Sequence, residues 1–286
     1  MTEPTNTSSS SSSTLVVGGT GKTGRRVADR LRAHDLAVRV GSRTADPPFD
    51  WDRPDTWEPA LHGVDAAYVS YAPDLAFRGA ADRVAAFTGL AVDAGVRRLV
   101  LLSGRNEEGA QRAERAVERS GVEWTIVRSS VFSQNFSEGF LLESVLAGEL
   151  AFPAGNVAEP FVDTDDIAVA ALTDDRHAGQ CYEVTGPRLL TFADAAAEIG
   201  AAAGRDLRYV PITFNVFAAA LLDEGLPPDF ATELTDLFRG ILDGRNASLT
   251  DGVQRALGRE PRDFRDFARD AAASGIWTAD AVRISR

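Results

Sequence analysis

The chain has 286 residues, 44% of them hydrophobic and 25% charged, with a formal net charge of −12. That length suits one large α/β domain carrying a smaller second part, and the acidic surplus repels phosphate backbones, which argues against nucleic acid as a partner. A single cysteine excludes an internal disulfide framework, the histidines His34, His62 and His177 lack ligand spacing and predict no metal site, and no run reaches the roughly 18 apolar residues of a membrane span.

The opening MTEPTNTSSSSSS is polar and low in complexity, without the apolar segment of a secretion signal. It reads as a disordered tail, residues 1–13, on a cytoplasmic protein. From Thr14 strands and helices alternate. TLVVGG is a buried strand, Lys22 to Ala33 a helix, LAVRVGSR a second strand and VDAAYVSY a third. Phe77 to Ala94 is an amphipathic helix, VRRLVLLSG a strand, Asn106 to Ser120 a charged helix and VEWTIVRSS a fifth strand. This rhythm predicts an α/β fold, a Rossmann doubly wound parallel sheet over residues 14–150, with ligands at the carboxyl edge of the strands. Past residue 151 the rhythm changes. EPFVDTDDIAVAAL reads as a loop and a capped helix, QCYEVTG as a strand, TFADAAAEIGAAAG as a helix and LRYVP as a strand, before several more helices. Residues 151–286 are therefore expected to form a smaller, mainly helical substrate-binding lid, with some segments returning to the sheet.

Gly18, Gly21 and Gly24 fall three apart between the first strand and its helix, with Lys22, the only lysine, among them. Glycines without Cβ let backbone amides approach a diphosphate, and the free N–H groups and positive dipole end of the helix favour that anion. Gly24 lets helix and strand pack closely. At the end of the second strand an NAD-binding chain carries Asp or Glu for the ribose hydroxyls; here Ser42, Arg43 and Thr44 stand there. A guanidinium and hydroxyls suit a 2′-phosphate, so NADP(H) is the expected cofactor.

Several features have plain structural readings. Arg112, Glu114 and Glu118 belong to an exposed charged helix. Asp163, Asp165 and Asp166 precede an apolar helical run and read as helix caps, with Asp163 the one whose loop borders the pocket. Cys181 reads as a buried structural thiol on a strand, and Trp124 as core. The aromatic residues of VFSQNF and PITFNVFAAALLDEGLPPDF suit an apolar wall if Phe132, Phe136, Phe214 and Phe217 surround one cavity.

With these segments assigned, the chain resembles the NmrA-like, atypical branch of the short-chain dehydrogenase/reductase superfamily, and within it most resembles the ergot-alkaloid reductases, the festuclavine dehydrogenase and agroclavine synthase group. VVGGTGKTGRRVADRL, FDWDRPDTWEPALHGVDAAYV, VRRLVLLSG, SGVEWTIVRSSVFSQNFSE, PFVDTDDIAVAAL and PRDFRDFARD carry the likeness. The resemblance implies NADPH and hydride delivery to a small molecule. By position it assigns Gly18, Thr20, Gly21, Lys22 and Gly24 to the diphosphate and adenosine side, Ser42 and Arg43 to the ribose phosphate, and Tyr71, Ala72 and Pro73 to the middle of the cofactor. It sets Ser103 near the nicotinamide ribose, Val131 and Phe132 against the nicotinamide, and Asn135 and Phe136, with Asp163 nearby, at the substrate. Ser129 stands where the family pattern has proline.

Ordinary members of the superfamily use tyrosine as acid, its pKa depressed by a lysine four residues on. None of Tyr68, Tyr71, Tyr182 and Tyr209 has that lysine. Ser103 and Tyr71 remain as candidate catalytic hydrogen-bond donors. The expected function is an NADPH-dependent oxidoreductase acting on a small aromatic or polycyclic metabolite: an imine or iminium, a quinone or a conjugated carbonyl. The rivals are an NADP-binding redox sensor without turnover and a non-redox isomerase or cyclase on the same fold.

Overall fold

The computed structural model describes residues 13–167 and 174–278. The serine-rich tail before Ser13 and most of the helix expected over IAVAAL lie outside the described residues.

The first unit is β1 (Ser13–Val17), α1 (Lys22–Ala33) and β2 (Ala37–Gly41). Strand alternation sends Leu15 and Val17 to one core and Val16 to the other. The helix buries Val27, Ala28 and Leu31 and turns its arginines outward; full burial of a Val or Leu side chain contributes about 1.5–3 kcal/mol each. A 3-10 turn over Pro54–Thr56 leads into α2 (Trp57–Leu61), then β3 (Ala66–Val69), α3 (Ala80–Asp93), β4 (Arg98–Gly104), α4 (Glu108–Glu118) and β5 (Glu123–Ser129). The expected helix from Phe77 starts at Ala80 instead, because Gly79 at φ +77° interrupts the spiral just before it.

After β5 come α5 (Asn135–Glu138), α6 (Leu142–Ala147), β6 (Glu149–Phe152), β7 (Ala158–Glu159), β8 (Gln180–Val184), β9 (Leu190–Thr191) and α7 (Phe192–Ala203). Then follow β10 (Arg208–Pro211), α8 (Phe214–Asp223), α9 (Pro228–Ile241), α10 (Gly252–Leu257) and α11 (Phe264–Ala273). A capping box between Thr191 and Asp194 starts α7.

Six strands form one parallel sheet in the order β2-β1-β3-β4-β5-β8. It is a doubly wound Rossmann-type sheet. The chain reverses direction across the sheet at β1, so the β1/β3 gap is the switch point, where the carboxyl ends of neighbouring strands open a crevice. Two cores sandwich the sheet, one under α2, α3 and α4 and one under α1 and α10. A third, rich in phenylalanine, lies within the C-terminal part between α5, α7, α8, α9 and α11. β6 and β10 pair parallel there, and β7 and β9 antiparallel; β6, β7 and β9 are too short for periodicity to reveal. Cys181 is half-buried on β8, and burial pushes its thiol up to about 11. No helix among the described residues is long and apolar enough to cross a membrane.

Candidate functional site

The glycine turn is built by close approach. Gly18 lies at φ +70°, and the N–H groups of Gly18 and Gly19 both donate to the Gly41 carbonyl at 3.0 and 3.2 Å. A Cβ on Gly24 would sit 2.2 Å from the Gly18 oxygen, and one on Gly19 would sit 2.8 Å from the Val16 oxygen. Gly19, outside the three-apart pattern, is thus also closed to a side chain, though less tightly than Gly24. No side chain caps the first turn of α1, and no acid lies in it. Its free amides and dipole end open into a cleft of about 1190 Å³ lined by Gly18, Thr20, Gly21 and Lys22. This is a concave wall whose free amides and positive helix end suit an anion.

The end of β2 adds Ser42 and Arg43 to the same cleft. Arg43 is exposed and pairs with no carboxylate among the described residues. Phe49, Asp50, Trp51 and Asp52 form a further wall. Trp57 donates to the Asp50 carbonyl at 2.8 Å and Trp51 to that of Ser70 at 3.2 Å, which fixes the loop. These four residues are absent from the positional expectations, although FDWDRPDTW supplied their signal. Tyr71, Ala72 and Pro73 follow β3, Ser103 ends β4, and Val131, Phe132 and Asn135 follow β5; all line the cleft.

Lys22 donates to Asn135 Oδ1 at 2.7 Å, tying the start of α1 to the segment after β5. Burial holds its ammonium below the ordinary value, with Glu138 opposing. Beyond Asn135 the cleft widens into an apolar chamber beneath α8 and α9, where Phe140, Phe152, Phe217, Phe230 and Phe238 contribute aromatic surface. Of the four phenylalanines expected to share one cavity, Phe132 and Phe217 do. Phe214 instead lies under the Arg239 guanidinium, 5.2 Å from ring centre to cation.

Two expected substrate residues sit elsewhere. Phe136 is fully buried, 5.4 Å from Phe161 and 5.5 Å from Phe264 between ring centres, inside the C-terminal core. The short α5 turns it away from the cleft that Asn135 faces. Asp163 is also buried: it caps Asp165 N–H and takes hydrogen bonds from Gln134 Nε2 at 2.7 Å and Arg262 Nη1 at 2.8 Å. It anchors a turn to the segment before α11 and does not line the cleft. Gly24 likewise lies behind the cradle wall.

The candidate donors are differently placed from one another. Tyr71 Oη accepts from Arg83 at 2.8 Å, leaving its own proton free. The Ser103 hydroxyl is committed, donating to Glu114 Oε1 at 2.6 Å. This overturns the reading of Glu114 as exposed. Glu114 is buried and holds Arg128 with both oxygens, at 2.9 and 2.6 Å, because α4 turns that one position against β4 and β5. Three further lining residues escaped sequence reasoning. Arg105 is buried, bonded to Ser130 at 3.0 Å and to the backbone of Ser248 at 3.3 Å. Asp74 and Glu107 face the cleft beside the end of β4.

Comparison with known proteins bears on this geometry. No family model matches the chain. The oxidoreductase YesF of Bacillus subtilis is 36% identical over 279 residues, covering 93% of this chain and 96% of its own. An NAD(P)H azoreductase of Xenophilus azovorans is 34% identical over 293 residues, covering 91% and 98%. Agroclavine dehydrogenase of Claviceps fusiformis is 30% identical over 284 residues, covering 92% and 98%. The chain belongs to the NmrA-like branch of the short-chain dehydrogenase/reductase superfamily. With these relatives named oxidoreductase, azoreductase and dehydrogenase, the chain is an oxidoreductase. The same fold appears in the NADPH complex of an Escherichia coli quinone oxidoreductase, at TM-score 0.72 and 20% identity over 90% of this chain and 99% of that one. It appears again in a mutant NmrA, at TM-score 0.66 and 14% identity over 93% and 97%.

Proposed function

We propose that this chain is an NADPH-dependent reductase of a small aromatic or polycyclic molecule: an imine or iminium, a quinone or a conjugated carbonyl. The observation that carries the reading is one cleft that joins an uncapped, glycine-lined helix start to an apolar, phenylalanine-walled chamber. The coenzyme is NADP(H), which supplies hydride to an electrophilic centre. The free amides of Thr20 and Lys22 would hold the diphosphate, with Gly21 giving close approach while its own N–H closes on the Gly18 oxygen, and Ser42 with Arg43 would hold the 2′-phosphate. Tyr71, Ala72 and Pro73 flank the middle of the coenzyme; Ser103 borders the nicotinamide ribose. Val131 and Phe132 press on the ring, and Asn135, steadied by Lys22, fronts the substrate. The chamber orients a flat acceptor and excludes water, so that the protein's contribution is position and dryness. The named relatives reduce azo compounds or act on agroclavine, which supports conjugated nitrogen-bearing acceptors as a class.

Calorimetric titration with both coenzymes tests the reading. Arg43→Ala removes charge-assisted bonds of about 1.5–3 kcal/mol, so NADPH should weaken roughly 10- to 100-fold while NADH hardly changes. Equal weakening of the two would take the phosphate away from Arg43. Purified protein mixed with NADPH and a panel of quinones and cyclic imines should oxidise the coenzyme; tight binding without oxidation across the panel would favour a sensor.

A further inference from the structure

A neutral acceptor needs a proton as well as a hydride, and the usual tyrosine–lysine pair is missing. Two carboxyls face the cleft where that proton is needed. Glu107 immediately precedes α4, yet its side chain makes no cap bond. It folds back over the end of β4 instead: a Cβ on Gly104 would lie 2.1 Å from Glu107 Oε1. Only glycine at 104 leaves room for this carboxyl. Asp74 comes from the loop after β3 and accepts from the Ala76 N–H at 2.8 Å. That same turn presses on the start of α4, where a Cβ on Gly109 would sit 2.6 Å from the Ala76 oxygen. Both acids line the cleft with Ser103, Gly104 and Pro73, and they lie close enough for the charge of Asp74 to act on Glu107. Neither carboxyl has an ion-pair partner among the described residues.

We propose that Asp74 and Glu107 share one proton at the wall of the cleft and deliver it to a neutral acceptor as that acceptor takes hydride. The inference rests on the reductase reading above. The reduced nicotinamide coenzyme is the two-electron donor. As the substrate gains hydride, the carboxyl O–H bond breaks and a new O–H, N–H or C–H bond forms on the substrate atom that would otherwise carry negative charge. The carboxylate left behind recovers its proton from water. A cationic iminium becomes neutral on hydride addition and has no use for the donor.

The surroundings keep the proton on. Burial raises Asp74 to about 6, and burial, Asp74 and Glu114 together raise Glu107 well above the ordinary carboxyl range. The neighbouring cations are engaged elsewhere. Arg128 of β5 is held by Glu114, Arg105 by Ser130, Ser248 and Glu183, and Arg83 of α3 by Tyr71 and Asp52. Two carboxyls that cannot both ionise cheaply are the arrangement that retains an acid near neutrality.

The test uses the full chain and three variants, Asp74→Asn, Glu107→Gln and Gly104→Ala, the last displacing the Glu107 carboxyl without altering either charge. In free protein carrying 13C-labelled Asp and Glu carboxyls, a resonance that is lost in Asp74→Asn, and so is distinct from that of Glu159, should titrate near pH 6. In Asp74→Asn the Glu107 midpoint should move to lower pH, because its like-charged neighbour is gone. In turnover with NADPH, kcat for a neutral quinone should fall as pH rises through the upper of the pair's two midpoints, and that limb should move with the resonance. Glu107→Gln should cut the ratio of quinone to N-alkyl iminium turnover on the order of 10²-fold, the usual worth of a positioned acid. Gly104→Ala should lower the same ratio. Asp74 and Glu107 resonances, assigned by their loss in the two variants, that both titrate below about pH 5 would overturn the proposal, as would equal losses on both acceptors. Wild-type protein that binds NADPH but reduces neither acceptor refutes the reductase reading and this inference with it, whereas turnover of both acceptors without selectivity loss refutes the inference alone.

Discussion

Gly24→Ala adds one methyl group at the tightest point of the glycine turn. Its Cβ would lie 2.2 Å from the Gly18 oxygen, 2.7 Å from the Gly18 carbonyl carbon and 2.9 Å from Gly19 Cα. Ordinary contact requires the loop to retreat by roughly 1 Å, and that loop is pinned by the two bonds to the Gly41 carbonyl and by Gly21 N–H on the Gly18 oxygen at 2.8 Å. Overpacking of this kind costs about 1–3 kcal/mol, against about 1 kcal/mol that alanine returns in a helix. The clash therefore wins, by up to about 2 kcal/mol, or several degrees in Tm for a domain of this size. The loop that moves leads into the start of α1, the proposed diphosphate cradle, so NADPH affinity should fall by tenfold or more, since displacements near 1 Å can cost about 10² in a positioned site. The control is Gly89→Ala on α3, where a Cβ meets nothing within 4 Å; it should stabilise the fold by about 0.5–1 kcal/mol and leave NADPH affinity alone. Thermal unfolding and calorimetric titration of the two variants give the answer. If Gly24→Ala keeps the wild-type Tm and Kd, the turn does not work by close backbone approach.

Other consequences follow from buried charge. Glu159 is fully buried with both oxygens unpartnered, and burial pushes its carboxyl up to about 7. A raised carboxyl stabilises the fold fully below its unfolded value of 4.5, and that stability is lost as pH climbs to about 7. Wild-type protein should lose roughly 3 kcal/mol more than Glu159→Gln over that window in urea unfolding; parallel pH curves for the two proteins would contradict the burial argument. Glu114→Ala leaves the Ser103 hydroxyl without its acceptor and Arg128, a quarter exposed, with only Glu183 at 3.5 Å, so unfolding free energy should drop by about 1–3 kcal/mol, and an unchanged value would show that water replaces the pair. Arg262→Ala breaks the bond to buried Asp163 and should cost about 1–3 kcal/mol with NADPH affinity intact; a selective loss of coenzyme or substrate binding instead would return Asp163 to the pocket.

Local pattern carried much of this molecule. Short apolar runs mark β1 to β5, helical spacing marks α1, α3, α4 and α7, and glycines at fixed offsets mark the turn, because each depends on residues a few positions apart. Arg43 in place of an acid at the end of β2 was readable for the same reason. What failed were statements about facing. Phe136 and Asn135 are adjacent, yet one fills a core and the other fronts the cleft. Glu114 looked like its charged neighbours, but its register on α4 points it at Arg128, fourteen residues away.

Residues near in the chain therefore set the strands, the helices, the glycine turn and the Ser42–Arg43 pair after β2. The switch point between β1 and β3, the chamber under α8 and α9, and the meeting of Asp74 with Glu107 come only from the packed fold. Burial, pairing and proton affinity depend on groups tens of residues distant along the chain, and only the closed structure fixes which of those groups meet.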